Sequence, residues 1–441
     1  MEGPSFRLGV DVGGTFTDVL LIREDTGETF RTKVHTTAAD QSLGVLGGID
    51  QVLAKIPNGS NINLHAINHG TTVATNTILE QKGAKVALVV TEGYRDILQT
   101  RRSQIPGGLA SWIIWKKPEP LAPLELTVEA PGRLATGGEE VRPFDDKIFR
   151  DRIRPIVEQK PDAVTISLIN SYANPSHEQA ARRIVSTLLP HTPVSISSEV
   201  LPELMEYERT ITTVVNSYIE PSVSAYLGNL LRALEKRTKH LRILRSDGGL
   251  SSVTQASRFP VNWVLSGPAG GVTGAVSVIA DRTKYKNLLT LDMGGTSTDV
   301  ALIENSTPRV RHETKVGDIV VKAPSIDVRT VGAGGGSIAT VPEVTKALRV
   351  GPESAGAEPG PACYSRGGSK ATVTDANAVL GYLPRSLLGG TFKLDLEAAR
   401  KAVQKVSDDL GTSLYEAAEG IIKVSNETMY SVSATIYPYI H

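Results

Sequence analysis

Two short stretches of this chain carry the residue types that hold phosphate. Leu8-Gly-Val-Asp-Val-Gly-Gly-Thr-Phe-Thr-Asp-Val-Leu-Leu-Ile22 recurs as Leu289-Thr-Leu-Asp-Met-Gly-Gly-Thr-Ser-Thr-Asp-Val-Ala-Leu-Ile303, with most positions identical. Each copy reads as an apolar strand ending on Asp, a Gly-Gly turn, a Thr-rich return and a second apolar strand, which is a β-hairpin pattern. The glycine pairs Gly13-Gly14 and Gly294-Gly295 admit φ > 0 and let backbone N–H groups approach an anion closely. Thr15, Thr17, Thr296 and Thr298 add hydroxyl donors, and Asp11 and Asp292 stand at strand ends where they can hold a hydrated cation. Two such cradles facing one another would grip a polyphosphate–metal complex from both sides. A pair of ordinary tight hairpins is the structural alternative, and a lone Asp-x-Gly-Gly would merit it. Repetition with the acidic residue, both glycines, two threonines and the trailing Asp in register argues against that alternative. No Gly-x-x-x-x-Gly-Lys-Ser/Thr occurs, so a P-loop is not the device.

The elements that must position these turns read as α/β. Val86–Val90 is an apolar strand and Gln41–Ala54 has apolar residues at helical spacing. From Gly107 to Gly138 the pattern is irregular and rich in Pro and Gly, which predicts a long connection. Order then resumes with a helix over Ile148–Gln159, a strand over Ala163–Leu168, a helix over Glu178–Leu188 and a strand over Val194–Ile196. A helical region from about Glu203 to Lys236 is expected to break near Pro221, and Leu241–Leu244 starts a second block with short strands between Val310 and Val350. The division this implies is a lobe over 1–235 and a second over 236–441, each with one hairpin. A helix from Leu414 to about Ile436 closes the pattern.

Size and charge exclude some classes. The 441 residues suffice for two or three domains, and 47 basic against 47 acidic side chains give no field that favours nucleic acid or an anionic membrane. The N-terminus lacks a charged and apolar leader and no apolar run approaches the ~20 residues of a membrane span, so a cytoplasmic location is expected. Cys363 is the only cysteine, which excludes an internal disulfide and a thiolate zinc cluster; nothing near it in sequence would lower its pKa.

Four further segments are candidates for contact with a ligand. Asn68-His-Gly-Thr-Thr-Val-Ala-Thr-Asn-Thr77 follows a strand and opens a short helix, so His69, Thr71, Thr72 and Asn76 are placed to line a polar loop, with helix capping as the competing role. His65 and His69 lie four apart but on a strand-like segment, which does not make a metal pair. Ser266–Gly274 and Val331–Ile338 are Gly-rich and offer either backbone approach to a nucleotide or close packing, and Gly351–Gly368 is a long Pro/Gly loop.

Tandem Asp-Gly-Gly-Thr hairpins resemble those of the actin, sugar-kinase and heat-shock-chaperone ATPase superfamily. More specifically, Gly9–Asp18, Asn68–Leu79, Glu92–Asp96, Glu206–Thr213, Ser246–Leu250, Ser266–Gly271, Asp292–Asp299, Arg329–Ser337 and Gly351–Leu380 together resemble the ATP-dependent hydantoinase A and 5-oxoprolinase family, related to the ATP-binding subunit of acetone carboxylase. The resemblance implies a two-lobed actin-like (ribonuclease H-like) fold that uses ATP and Mg²⁺. It also implies phosphorylation of the carbonyl oxygen of a cyclic amide, 5-oxoproline or a hydantoin, so that the ring opens. Asp11 and Asp292 would then organise Mg²⁺, Gly13–Thr15 and Gly294–Thr296 hold the phosphates, Thr17 and Thr298 serve as second-line donors, and Gly334, Gly335 and Gly336 flank the adenosine end. His69, Thr71 and Thr72 are the candidates for the reacting side. The family implies a hydantoinase B-type partner subunit and leaves a homo-oligomer open; its members continue into a further C-terminal domain, so a shortened A-type subunit is expected. A small-molecule kinase of the same superfamily and a non-catalytic nucleotide- or partner-binding protein stay open as alternatives.

Overall fold

The computed structural model describes residues 4–13, 16–37, 41–56, 62–102, 118–356, 358–387, 390 and 392–436. The chain divides into two units: unit 1 takes residues 1–65, 267–310 and 326–441, and unit 2 takes 66–266 and 311–325. The boundary expected near residue 235 therefore falls inside unit 2. The chain leaves unit 1 after the first hairpin and returns to it at Gly267, so both hairpins belong to one unit instead of heading two lobes.

Unit 1 begins with an antiparallel meander of β1 (Ser5–Val12), β2 (Phe16–Arg23) and β3 (Thr29–His35). Alternation sends Phe6, Leu8, Val10 and Val12 of β1 and Thr17, Val19 and Leu21 of β2 to one buried face. Helix α1 (Gln41–Leu53) covers that face with Val45, Ile49 and Val52. Close approach needs Gly48, where a Cβ would stand 2.7 Å from a Val19 methyl. Strand β4 (Asn63–Thr71), which begins in unit 1, lies on the other side of β1 in the sheet order.

In unit 2, α2 (Val73–Leu79) precedes a parallel sheet of β5 (Val86–Thr91), β6 (Thr127–Ala130), β7 (Ala163–Ser167) and β8 (Val194–Ile196) in the order β8-β7-β5-β6. The six residues of β5 are all buried, as a parallel sheet covered on both faces requires. Helices α3 (Asp146–Glu158) and α4 (Ser176–Leu188) cover one face through Phe149, Ile153, Ile184 and Val185. Helix α5 (Glu206–Leu234) packs on β5, β7 and β8, where Ser167 and Thr210 share a hydrogen bond of 2.8 Å. Two expectations are corrected here. The stretch expected to be irregular, of which 107–117 lie outside the described residues, contains β6, a strand by virtue of its pairing with β5; and α5 runs through Pro221, because Val215, Ile219, Val223 and Leu227 bury on either side of the missing N–H. Strands β9 (Leu241–Leu244) and β10 (Leu250–Ser252) follow β4 in the sheet order, with Ile243 opposite His69.

Unit 1 resumes in α6 (Ser266–Ala275) and a second antiparallel meander, β11 (Leu288–Met293), β12 (Thr298–Glu304) and β13 (Val328–Val331). Short strands recur between 310 and 350, as expected, those within 311–325 belonging to unit 2, and the last of them, Arg349–Ser354, runs into the stretch expected as a Pro/Gly loop. Helices α7 (Val373–Val379), α8 (Leu396–Leu410) and α9 (Leu414–Ile436) build a separate core around Ala376, Val403, Ala418 and Ile421, and α9 also packs on β12 and β13. Among the described residues no helix is long and apolar enough to cross a membrane.

Candidate functional site

The two meanders share one register. Asp11 pairs across with Asp18 and Asp18 with Lys33; Asp292 pairs with Asp299 and Asp299 with Thr330. The same bond closes both turns: the Gly13 N–H donates to the Phe16 carbonyl at 2.9 Å and the Gly294 N–H to the Ser297 carbonyl at 2.8 Å. Gly14 and Thr15 lie outside the described residues. Gly294, Gly295 and Thr296 are exposed at the tip of the second turn.

Alternation puts the acidic residues on the faces opposite the apolar ones, and there the two copies meet electrostatically. Burial pushes the Asp11 carboxyl above its ordinary range, Asp18 and Asp292 push it further, and Lys33 pulls it back. Asp11 is nevertheless exposed to solvent. Asp299 is likewise raised by burial, with the Thr330 hydroxyl, which donates at 2.6 Å, opposing and Asp292 adding to the shift. Asp292 is thus the neighbour common to both hairpins. Helix α6 contributes Gly267, where a Cβ would stand 3.6 Å from Asp11 Oδ1. Asp18, Asp299 and Lys33 were not singled out as site residues from sequence, whereas Gly267 lies in the Gly-rich segment named there; the trailing Asp in register and the strand period of two are the signals that point to Asp18 and Asp299.

Other expected ligand contacts have structural partners. Thr17 and Thr298 are fully buried on the core face. Thr17 Oγ1 lies 3.0 Å from Thr36 Oγ1, which donates to the Gly13 carbonyl at 2.8 Å, and Thr298 Oγ1 donates to the Ala333 carbonyl at 2.6 Å. These hydroxyls brace the turns from behind. Gly334, Gly335 and Gly336 pack on the second turn: Gly335 and Gly336 donate N–H groups to the Gly294 and Gly295 carbonyls at 2.9 and 2.6 Å, and the Gly334 N–H donates to Ser337 Oγ at 2.9 Å. A Cβ on Gly334 would stand 2.7 Å from the Ser297 nitrogen, so glycine is required there for backbone to meet backbone. Their amides are occupied by protein, which removes them as donors to a nucleotide.

His69 and Thr72 belong to unit 2. His69 is fully buried on β4, its Nε2 2.7 Å from the Tyr226 hydroxyl of α5. That partner fixes it as a core histidine. Thr71 Oγ1 accepts from the Val73 N–H at 3.2 Å, and Thr72, at the N-cap of α2, accepts from Asn76 Nδ2 at 3.2 Å. Cys363 is buried, and burial together with the nearby Asp375 carboxylate pushes its thiol up, away from nucleophile chemistry. Asp375 accepts from the N–H groups of Cys363 and Ala362 at 2.8 and 3.2 Å, which ties this part of the Pro/Gly loop to α7.

A sequence profile described as Hydantoinase/oxoprolinase matches residues 209–436, just over half of the chain, and one described as Hydantoinase/oxoprolinase N-terminal region matches residues 7–189. The chain belongs to the hydantoinase/oxoprolinase family. Among family members, caprolactamase subunit alpha of Pseudomonas jessenii is 37% identical over 438 residues, covering 98% of this chain and 62% of the relative. 5-Oxoprolinase 1 of Arabidopsis thaliana is 34% identical over 476 residues, covering 97% of this chain and 37% of the relative. Solved structures agree. The ATP-dependent caprolactamase of Pseudomonas jessenii matches with a TM-score of 0.81 at 37% identity, over 96% of this chain and 62% of that one. Nucleotide-free acetone carboxylase matches with a TM-score of 0.80 at 30% identity, over 95% and 61%. The mixed α/β fold is therefore the family's, and the chain spans less than two thirds of the length of these relatives.

Proposed function

We propose that this chain is the ATP-binding component of a cyclic-amide hydrolase, built on an actin-like nucleotide site, and that it presents ATP to the carbonyl oxygen of a lactam or hydantoin such as 5-oxoproline. The observation that carries this reading is the electrostatic meeting of Asp11 and Asp292, equivalent residues of the two hairpins, inside one unit. Two carboxylates close enough for one to raise the other favour a cation beside them. Mg²⁺ suits such a pair, since that ion keeps several waters and takes one or two carboxylates together with phosphate oxygens. Asp11 and Asp292 would hold it through those waters, and when bound it would supply neutralisation of charge on the phosphoryl group.

The chain's own groups supply position. Gly13 and Gly294 shape turns whose tips, Gly295 and Thr296 in the second copy, stay open to a phosphate; Gly267 keeps the start of α6 free of side chain next to Asp11. An amide oxygen is a weak nucleophile, so holding it in line with the γ-phosphoryl group is the main contribution a protein can make. No step is assigned to Thr72 or His69 of unit 2, whose side chains are held by Asn76 and Tyr226. A relative named as one subunit of a caprolactamase supports a B-type partner that completes hydrolysis.

Calorimetric titration of the 441-residue chain with ATP, with and without Mg²⁺, tests the reading. Binding that requires the metal and is lost in Asp292→Ala is expected; equal binding by that variant removes Asp292 from the site. With a B-type subunit and a lactam, ring-opened amino acid and inorganic phosphate are expected, whereas release of a phosphorylated product would make the chain a small-molecule kinase.

A further inference from the structure

Unit 2 contains a cavity of about 690 Å³ that the cyclic-amide reading does not use. Its walls are the segments that feed the amino ends of three parallel strands, 82–84 before β5, Asp162 before β7 and 190–193 before β8, together with part of α5 around Pro221. Local chemistry shapes these walls. Pro221 has no N–H for the helical hydrogen bond, and the Tyr218 carbonyl of the preceding turn accepts from the Ala84 N–H at 2.9 Å. Gly83 lets the loop lie on Tyr218, whose ring would stand 2.2 Å from a Cβ at that position. Pro190, Pro193 and Pro221 give the cavity apolar surface, while Lys82, Asp162, His191 and Glu220 give it groups that can carry charge. A volume of this size, with apolar walls and a few polar groups, accepts a small organic molecule.

Glu220 selects the ligand. It is half-buried, and its Oε2 accepts from Ser195 Oγ at 3.1 Å, which in turn accepts from Asn216 Nδ2 at 3.1 Å. Among the described residues Oε1 has no hydrogen-bond partner. The neighbouring charges are already engaged. Arg258 is held by Glu199, which also takes Arg182; Lys82 pairs with Glu80 at 2.8 Å, and Asp162 accepts from the Lys85 N–H at 2.9 Å. Burial therefore prevails at Glu220 and pushes its carboxyl up to about 7, with the Ser195 hydroxyl and Arg258 opposing. A cation entering the cavity would supply the counter-charge that this carboxyl lacks. We propose that the cavity binds a primary organic ammonium ion, whose ammonium group pairs with the Glu220 carboxylate while its carbon chain lies on the proline walls. Amino acids freed by ring opening of a lactam belong to this class; that link rests on the cyclic-amide reading, and the ammonium site does not.

Calorimetric titration of the 441-residue chain with n-pentylamine, 6-aminohexanoate and hexanoate tests the proposal. Both amines are expected to bind and hexanoate is not. Because the ammonium pairs only with the ionised carboxyl, binding should release protons near neutral pH and weaken about tenfold between about pH 8 and about pH 6. Glu220→Gln keeps an acceptor for Ser195, so it should retain the melting profile, lose at least about tenfold in affinity for both amines and lose the pH dependence. If that variant does not fold, the carboxyl carbon resonance of Glu220 is followed in the unaltered chain, where saturating n-pentylamine should lower its titration midpoint by about two pH units. An unmoved midpoint overturns the proposal. So does absence of amine binding, hexanoate binding in its place, or amine binding that Glu220→Gln leaves unchanged; a pH dependence that survives in that variant would belong to His191 instead and has the same consequence. ATP takes no part in these readouts, so failure here is separate from failure of the nucleotide site.

Discussion

The apolar face of β1 is buried and that of β11 is exposed, although the same backbone bond closes both turns. Asp18 answers to Lys33 across the sheet at 2.9 Å, and its counterpart Asp299 answers to the hydroxyl of Thr330 at 2.6 Å. Leu8 is fully buried where Leu289 is half exposed. The chemistry-bearing face is therefore kept the same in both copies by local rules, turn bond and strand alternation, while the support behind each is supplied by whatever element follows it. A motif fixes the direction of its side chains; burial depends on the rest of the fold.

The largest expected difference between the copies is in packing. Leu8→Ala should cost about 3 kcal/mol in denaturant unfolding, since it empties a closed site, whereas Leu289→Ala should stay within about 0.5 kcal/mol. Equal losses would mean that β11 is covered in solution and would break the comparison. A smaller effect, common to both copies, is expected from the buried hydroxyls. Thr17→Val and Thr298→Val should each cost about 1–2 kcal/mol, because each removes a hydroxyl from a buried hydrogen-bonded set, at Thr36 and at the Ala333 carbonyl respectively. A ligand-facing threonine would instead leave stability unchanged and weaken nucleotide binding, so unfolding and titration of the same two variants separate bracing from contact.

Much of this was legible in the sequence. The repeat pointed to both hairpins, and the apolar runs to β5, β7 and α4, because strand and helix periods are local properties. What could not be read depends on partners distant in sequence. Strand β6 exists through β5, α5 crosses Pro221 because its apolar face is buried on either side, and the return of the chain to unit 1 at Gly267 has no local signature. Thr17 and Thr298 were read by residue type as donors to a ligand, yet the strand period of two already places them on the face opposite Asp18 and Asp299. Gly334–Gly336 and His69 were ambiguous from sequence, since backbone-on-backbone packing and a core histidine leave the same residue pattern as ligand contact.

The smallest change in stability, within about 0.5 kcal/mol near neutral pH, is expected from Asp292→Asn, because Asp292 is an exposed strand residue. Its electrostatic consequence is nevertheless specific. Asp292 raises both Asp11 and Asp299, so the variant should lower the pKa of both carboxyls, one in each hairpin, as read by carboxyl carbon chemical shifts in an acid titration. The sign carries over to stability. A carboxyl whose folded-state pKa lies above its unfolded value favours folding most fully below the unfolded value, and that advantage declines as pH rises through the folded one. Relieving the repulsion should therefore flatten the fall in unfolding free energy across the acid range. A shift confined to Asp299 would mean that the hairpins do not share Asp292, and the two copies would then be independent turns instead of the halves of one site.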